Sequence, residues 1–349
     1  MVEPESLHTT IRTEAGTVLI GNEHILEELT VSLLTGGHVL LEGVPGVAKT
    51  TIAEVFARTL GLDFQRIQMT PDLMPADITG TSIYREATGE FETKHGPIFA
   101  NLVLVDEVNR ATPKTQSALL EAMQEEQVTI EGTTHPLPEP FIVVATMNPI
   151  DMEGTFFLPE AQRDRFQLKL DVDIPERELE DALLERFDAT PDLRPDHVEQ
   201  AVSPDDIASA RAVVRDVYVD PSIRGYILDI VQSTRDSTDT AHGASPRASI
   251  HLLAASKARA AIHGRDYVIP DDAKSLAESV LAHRLVLSTD AELGDLSPRT
   301  VVEEAIRTVT PPSYNEIESA TAVSDGGGPS ENVDESNDGS DGPVDSSSE

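Results

Sequence analysis

The 349-residue chain contains no cysteine and no tryptophan. Without cysteine there is no disulfide scaffold, no thiolate metal site and no cysteine nucleophile. Aromatic residues make up only 4 % of the chain. No stretch approaches the ~18 consecutive apolar residues that a membrane-spanning helix needs. The opening Met1-Val2-Glu3-Pro4-Glu5 lacks the basic start and apolar run of a secretory signal. A soluble, cytoplasmic protein is therefore expected. The ten histidines are scattered, with no His-x-x-x-His pair and no carboxylate partner at ligand spacing. That pattern argues against protein-ligated zinc or iron. There is no Gly-x-Ser-x-Gly nucleophile elbow and no internal repeat.

Positive charge is the other scarcity. Lysine and arginine total 26 against 62 aspartates and glutamates, a formal charge of −36, and only 6 of the 26 are lysine. Such a chain repels phosphate backbones at long range, which argues against nucleic acid as its partner. Residues 321–349 hold eight acids and no base, so the remainder still carries −28 of the −36. An acidic, lysine-poor surface suits concentrated salt, where the Debye length is about 3 Å and self-repulsion is screened. A halophilic source accounts for this, and an ordinary acidic protein with an acidic tail is the plainer alternative.

What is present is an alternation of buried strands and helices. His38-Val39-Leu40-Leu41-Glu42, Asn101-Leu102-Val103-Leu104-Val105-Asp106 and Phe141-Ile142-Val143-Val144-Ala145-Thr146 are short apolar runs with the look of buried parallel strands. Helical patterns fall over 1–14, within 15–38 (Ile25, Leu26, Leu29, Leu33), over 50–60 and over 112–124. Strand-helix alternation predicts βαβ units and a parallel sheet covered on both faces. Two hairpins interrupt it, one over 83–92 turning at Thr88-Gly89, one over 128–134 turning near Glu131-Gly132. Tyr84 and Phe91 are read as bracing the first hairpin. After Asp171 strands are expected to stop: Pro175, Pro191, Pro195 and Pro204 punctuate a connector and helical periodicity follows to about 310. Ile223, Tyr226, Ile227, Ile230 and Val231 mark one amphipathic helix; Ala273, Leu276, Ala277, Val280 and Leu281 mark another.

The first strand enters Gly43-Val44-Pro45-Gly46-Val47-Ala48-Lys49-Thr50-Thr51, close to G-x-x-x-x-G-K-[ST] with Ala48 in place of the last glycine. Successive backbone N–H groups at a helix start would cradle phosphate oxygens. Lys49 would reach the β- and γ-phosphates and Thr50 would hold Mg²⁺. Alanine fits if position 48 already has a helical φ, inside the first helical turn. A glycine-rich strand-to-helix turn with an incidental lysine is the plain alternative. The second strand ends in Asp106-Glu107, where ligands bind in open α/β sheets. Asp106 would hold Mg²⁺ through water, and Glu107 would orient or deprotonate the attacking water. Asn148 ends the third strand in Ala145-Thr146-Met147-Asn148-Pro149. Its amide could bridge lytic water and γ-phosphate, although Asn-Pro after a strand is commonly just a turn.

With these motifs in order, the chain over about 15–310 resembles the MoxR family of AAA+ ATPases. The specific stretches are Gly36-Gly37-His38-Val39-Leu40-Leu41-Glu42-Gly43-Val44-Pro45-Gly46, Asp106-Glu107-Val108-Asn109-Arg110-Ala111, Gln116-Ser117-Ala118-Leu119-Leu120-Glu121-Ala122-Met123 and Leu158-Pro159-Glu160-Ala161-Gln162. Gly243-Ala244-Ser245-Pro246-Arg247-Ala248 and Gly264-Arg265-Asp266-Tyr267-Val268 complete the set. The resemblance implies an α/β P-loop NTPase core (15–174) with its parallel sheet between helices and a smaller all-α lid (175–312), set between an N-terminal helical extension (1–14) and an acidic disordered tail (313–349). The tail reading rests on composition, since Gly, Ser, Asp and Pro dominate from Ser324 and leave no packed core. The resemblance also implies a homo-oligomer, usually a hexameric ring, with ATP and Mg²⁺ between neighbouring subunits. It makes Asn148 sensor 1, Arg247 sensor 2, Arg165 the arginine finger, and Ile20-Gly21 the segment beside adenine. Arg163 stands where the family more often has an apolar residue, which leaves open whether Arg163 or Arg165 is the finger. The 83–92 hairpin resembles the family's insertion within the second core helix. The function implied is a chaperone-like ATPase that remodels or matures client proteins, often with partners bearing a von Willebrand factor A domain. A DNA-acting motor of the same AAA+ branch and a nucleotide-dependent scaffold are the two other classes.

Overall fold

In a computed structural model, residues 2–86, 89–149, 156 and 158–312 are described. The Thr88 position of the first expected turn and the expected acidic tail lie outside them. The chain opens with α1 (Pro4–Ala15) and α2 (Glu23–Thr35), then β1 (Val39–Glu42), α3 (Lys49–Thr59) and β2 (Phe64–Gln68). Next come α4 (Pro75–Thr79), the pair β3 (Gly80–Arg85) and β4 (Glu90–His95), β5 (Leu102–Asp106) and α5 (Pro113–Glu125). A second pair, β6 (Gln127–Ile130) and β7 (Thr133–Pro136), leads to β8 (Ile142–Met147), α6 (Glu160–Arg163) and β9 (Leu168–Asp171). Beyond it lie α7 (Arg177–Ala189), α8 (Pro204–Asp216), α9 (Pro221–Asp236), β10 (Thr240–His242) and α10 (Pro246–Ile262). The last elements are α11 (Pro270–Leu281), β11 (Val286–Leu287), α12 (Thr289–Leu293) and α13 (Pro298–Thr308).

Five strands form one parallel sheet in the order β2-β5-β8-β1-β9. The three strands expected from apolar runs are its three central members. Every residue of β5 is buried, as a strand covered on both faces must be. Leu40, Val103, Val105, Val143 and Ala145 line one face and join Leu119, Leu120 and Met123 of α5 in a single apolar cluster. The two outer strands were not foreseen. β2 reads Phe-Gln-Arg-Ile-Gln and buries one side chain fully, and β9 alternates Leu-Lys-Leu-Asp. Edge strands need apolar residues on one face only.

Both hairpins are present. Glu131 (φ +49°) and Gly132 (φ +83°) both occupy the left-handed region, the type I′ geometry that matches strand twist. Tyr84 stands opposite Phe91, with ring centroids 5.2 Å apart. The first hairpin differs in setting from the expected insertion within a helix: α4 has a single turn, and no second helical half precedes β5. The expectation of no strands after Asp171 is also corrected, because β10 and β11 pair antiparallel in the helical half. Three-residue and two-residue strands leave too short a pattern to read. The two amphipathic helices appear as α9 and α11, with all ten marked side chains buried. The described residues up to Pro312 form one compact unit, and α1 packs on α2, α3, α8 and α10.

Candidate active site

β1 leads from the middle of the sheet into residues 43–48, and α3 begins at Lys49. Gly43 is required by a close approach, since a Cβ there would lie 2.4 Å from the Val172 carbonyl oxygen. Gly46 has φ +91°. Ala48 corrects one expectation. It caps the helix with φ +65° and ψ +19°, in the left-handed region and outside the first turn. The alanine therefore occupies the conformation that explains glycine in the P-loop pattern, and it carries the backbone strain glycine would avoid.

Lys49 folds over this loop, donating from Nζ to the carbonyl oxygens of Gly43 at 2.6 Å and Val44 at 2.9 Å. Burial pulls its pKa down, opposed by the carboxylates of Asp106 and Glu107 nearby. Asp106 ends β5, 5 % exposed. One carboxylate oxygen accepts from Arg66 Nε at 2.6 Å, the other from Thr146 Oγ1 at 3.2 Å. Glu107 adopts φ +56°. Its N–H donates to Thr146 Oγ1 at 2.9 Å, and its carboxylate accepts from Gln68 Nε2 at 2.8 Å and pairs with Arg110 at 3.3 Å. Two non-glycine residues in left-handed backbone thus flank one site, the kind of strain that collects where geometry serves chemistry.

Asn148 is 7 % exposed just past β8, the strand lying between β5 and β1. It therefore sits between the loop and the acidic pair, at the carboxyl edge of the sheet. Thr50 follows Lys49 in the first turn of α3, and Thr51 follows it. The hydroxyl of Thr50 and the carboxylate of Asp106 are hard oxygen donors of the sort Mg²⁺ accepts, with phosphate and water supplying the rest. Among the described residues no group of three or more histidine or acidic side chains could cage a metal alone.

Ile20 and Gly21 precede α2. Gly21 has φ +77°, and a Cβ there would meet Leu179 of α7 at 2.7 Å, so this segment packs directly under the first turn of α7.

The arginines fall into two places. Arg163 lines a cavity of about 730 Å³ with Glu42, Asn148, Lys169, Glu278 and Arg299. Burial lowers its pKa, with Glu160 and Glu42 opposing. Arg165 instead lines a separate cavity of about 240 Å³ with Arg247, Gly37, His38, Met123 and His251. Arg165 also donates to the carbonyl oxygen of Leu120. Gly37 and His38 precede β1, whereas the P-loop follows it, so this second cavity opens at the opposite end of the sheet. Four residues of strand put the two ends about 13 Å apart.

Arg66, Gln68 and Thr146 were not foreseen as site residues. Arg66 and Gln68 are two apart in β2 and so share a face; that alternation was the signal, and it is legible only once β2 is known to neighbour β5.

A parallel sheet of this order, with a phosphate-type loop after β1, acids after β5 and a polar amide after β8, defines a P-loop ATPase of the AAA class. The model of the ATPase family associated with various cellular activities matches residues 38–168, and that of the AAA lid domain matches 232–310. Chaperone MoxR1 of Mycobacterium tuberculosis is 44 % identical over 322 residues, covering 89 % of this chain and 84 % of its own. The uncharacterized protein YeaC of Bacillus subtilis is 45 % identical over 295 residues, covering 84 % and 92 %. A solved structure of a candidate ATPase from Cytophaga hutchinsonii superposes with a TM-score of 0.81 at 42 % identity, covering 87 % and 94 %. The chain belongs to the MoxR family of AAA+ ATPases. Among the described residues no helix is long and apolar enough to cross a membrane.

Proposed function

We propose that this protein is a Mg²⁺-dependent ATPase that works as a ring, a chaperone-like machine that remodels or matures client proteins with the energy of ATP hydrolysis. The observation that carries the reading is the convergence of Lys49, Asp106, Glu107 and Asn148 at the carboxyl edge of three adjacent strands. Residues 43–51 would bind the phosphates, with Lys49 leaving the Gly43 and Val44 carbonyls for phosphate oxygens. Bound Mg²⁺, held by Thr50 and Asp106, would neutralise the developing phosphate charge. Glu107 would swing from Gln68 to accept a proton from water, and Asn148 would orient that water against the γ-phosphate. Ile20 and Gly21 would flank the adenine.

The separation of the arginines supports a site shared between subunits. Arg165 and Arg247 line a cavity at the far end of the sheet from their own P-loop, so they serve a neighbouring subunit's nucleotide in a head-to-tail ring. Such heterologous contacts close into rings, and a hexamer is the reading taken here. Arg163 shares a cavity with Glu42 and Asn148 and stays with its own subunit. The name of the Mycobacterium tuberculosis relative supports a chaperone role, and the family resemblance suggests partners bearing a von Willebrand factor A domain. The charge of −36 supports a protein client over nucleic acid, and a cytoplasm rich in salt.

The test is ATP hydrolysis in molar KCl with and without Mg²⁺, comparing the native chain with Glu107→Gln. Turnover should fall at least ~10²-fold in the variant while ATP stays bound. Equal turnover in both proteins defeats the assignment of Glu107.

A further inference from the structure

Asp164 lies between Arg163 and Arg165, and its carboxylate reaches across to the helical half of the chain at three points. Oδ1 accepts from Arg284 Nε at 2.8 Å and from Ser245 Oγ at 3.0 Å; Oδ2 lies 3.6 Å from an Arg247 guanidinium nitrogen. Ser245 and Arg247 begin α10, and Arg284 closes the 3-10 turn after α11. Arg284 is 1 % exposed. Its guanidinium also donates to the carbonyl oxygens of Phe166 at 2.6 Å and Gln167 at 3.2 Å, to Val280 O, and to His251 Nδ1 at 2.6 Å. His283, beside it, donates from Nε2 to the same Phe166 oxygen at 3.1 Å. Arg284 also donates to the Asp164 carbonyl oxygen at 3.4 Å, so the backbone on both sides of Arg165 is gripped by one buried cation, and the carboxylate before Arg165 holds Arg247 as well.

We infer that Asp164, anchored by Arg284 and Ser245, is a positioning residue that locks Arg165 and Arg247 into one rigid unit, so that both arginines reach the neighbouring nucleotide in fixed geometry. A long side chain gains rate only if its head group is held near the productive position. Among the described residues Arg165 donates to the Leu120 carbonyl, and Arg247 is 43 % exposed along its side chain. The pair of buried Arg284 with half-buried Asp164 supplies that hold. An ion pair withdrawn from water is weak evidence for stability, and specifying geometry is its better attested use. Because Asp164 belongs to one subunit and the reacting phosphate to the next, its loss leaves that subunit's own ATP binding intact.

The inference rests on the shared-site reading above, and subunit mixing separates the two. Asp164→Asn should lower kcat about 10²-fold, with ATP affinity held within about twofold. Lys49→Ala should bind no ATP and turn over none. Co-assembled, these two inactive chains should regain turnover, because an Asp164→Asn P-loop then faces an intact Arg165-Arg247 unit from a Lys49→Ala neighbour. Arg165→Ala mixed with Lys49→Ala is the reference. Recovery in the reference but not with Asp164→Asn overturns the positioning role alone; recovery in neither overturns the shared site. Native kcat in Asp164→Asn also overturns the inference. Should Asp164→Asn not fold, Ser245→Ala decides, since it removes one donor and orphans no charge: a lowered kcat with ATP affinity held supports the positioning role, and an unchanged kcat overturns it.

Discussion

The two ends of the central sheet hold their charged groups in opposite ways. At the carboxyl end Lys49 rests on two carbonyls of its own loop, Glu107 leans on Gln68, and Asp106 meets Arg66, whose side chain is 53 % exposed. Each is a contact that an incoming phosphate, cation or water can replace. At the amino end Arg284 is buried and donates to six acceptors, and Asp164 is tied to three residues of the helical half. Nothing there exchanges without leaving a buried charge uncompensated, a cost of several kcal/mol. The contrast follows from the two tasks. Groups that receive a ligand must be able to change partners, and groups presented to another subunit must keep theirs.

The sharpest way to break this comparison is to remove the arginines one at a time. Arg165→Ala should cost about 10³-fold in turnover, the scale of an arginine supplied in trans, with ATP binding retained. Arg163→Ala should act on its own subunit's cavity beside Glu42 and Asn148, lowering turnover no more than about tenfold. If steady-state ATPase rates show the reverse order, Arg163 is the finger and the amino end of the sheet loses its role. Mixing with Lys49→Ala adds the direction, since only a group acting across the interface is rescued.

The carboxyl end was legible in the strand pattern, whereas at the amino end the family resemblance named Arg165 and Arg247 but not the contacts that hold them, for a physical reason. Lys49, Thr50, Asp106, Glu107 and Asn148 lie at the ends of strands whose apolar runs announce themselves, so topology alone brings them to one edge. Contacts such as Asp164 to Arg284 join residues 120 apart through side chains on irregular segments, and no local pattern encodes them. Position 163 shows the same limit. Motif order could not choose between Arg163 and Arg165, whereas the cavities separate them. The helical φ expected at Ala48 failed because a pattern of residue types carries no dihedral angle.

A smaller effect distinguishes the ends by pH. Burial, then the neighbouring Arg284 charge, push the His251 pKa down to about 3, because its Nδ1 must stay free to accept from Arg284. A pKa lowered on folding means stability that is complete above the unfolded value near 6.5 and is lost as pH falls toward about 3. Between pH 8 and pH 5 this one group should remove up to about 2 kcal/mol. His251→Asn keeps an acceptor and does not titrate, so its denaturation midpoint in molar KCl should shift less over that interval. Parallel pH profiles for the two proteins would mean that His251 takes up its proton as readily in the fold as in the unfolded chain, and the amino-end network would then need another acceptor for Arg284.

The smallest expected effect concerns the backbone at the carboxyl end. Ala48 is exposed and holds φ +65°, where an L-residue costs about 1 kcal/mol relative to glycine. Ala48→Gly removes that strain but widens the unfolded ensemble by about 0.5–1 kcal/mol. The two nearly cancel, so stability should change by less than about 1 kcal/mol. ATP affinity, read by titration, should stay within about twofold, since the loop already has the required shape. Gly43→Ala is the counterpart, where the new Cβ would press on the Val172 carbonyl at 2.4 Å and the loop could not keep its path. If Ala48→Gly instead weakens ATP binding tenfold or more, the alanine is stiffening the loop. Rigidity would then belong to both ends of the sheet, carried by backbone at one and by buried ion pairs at the other.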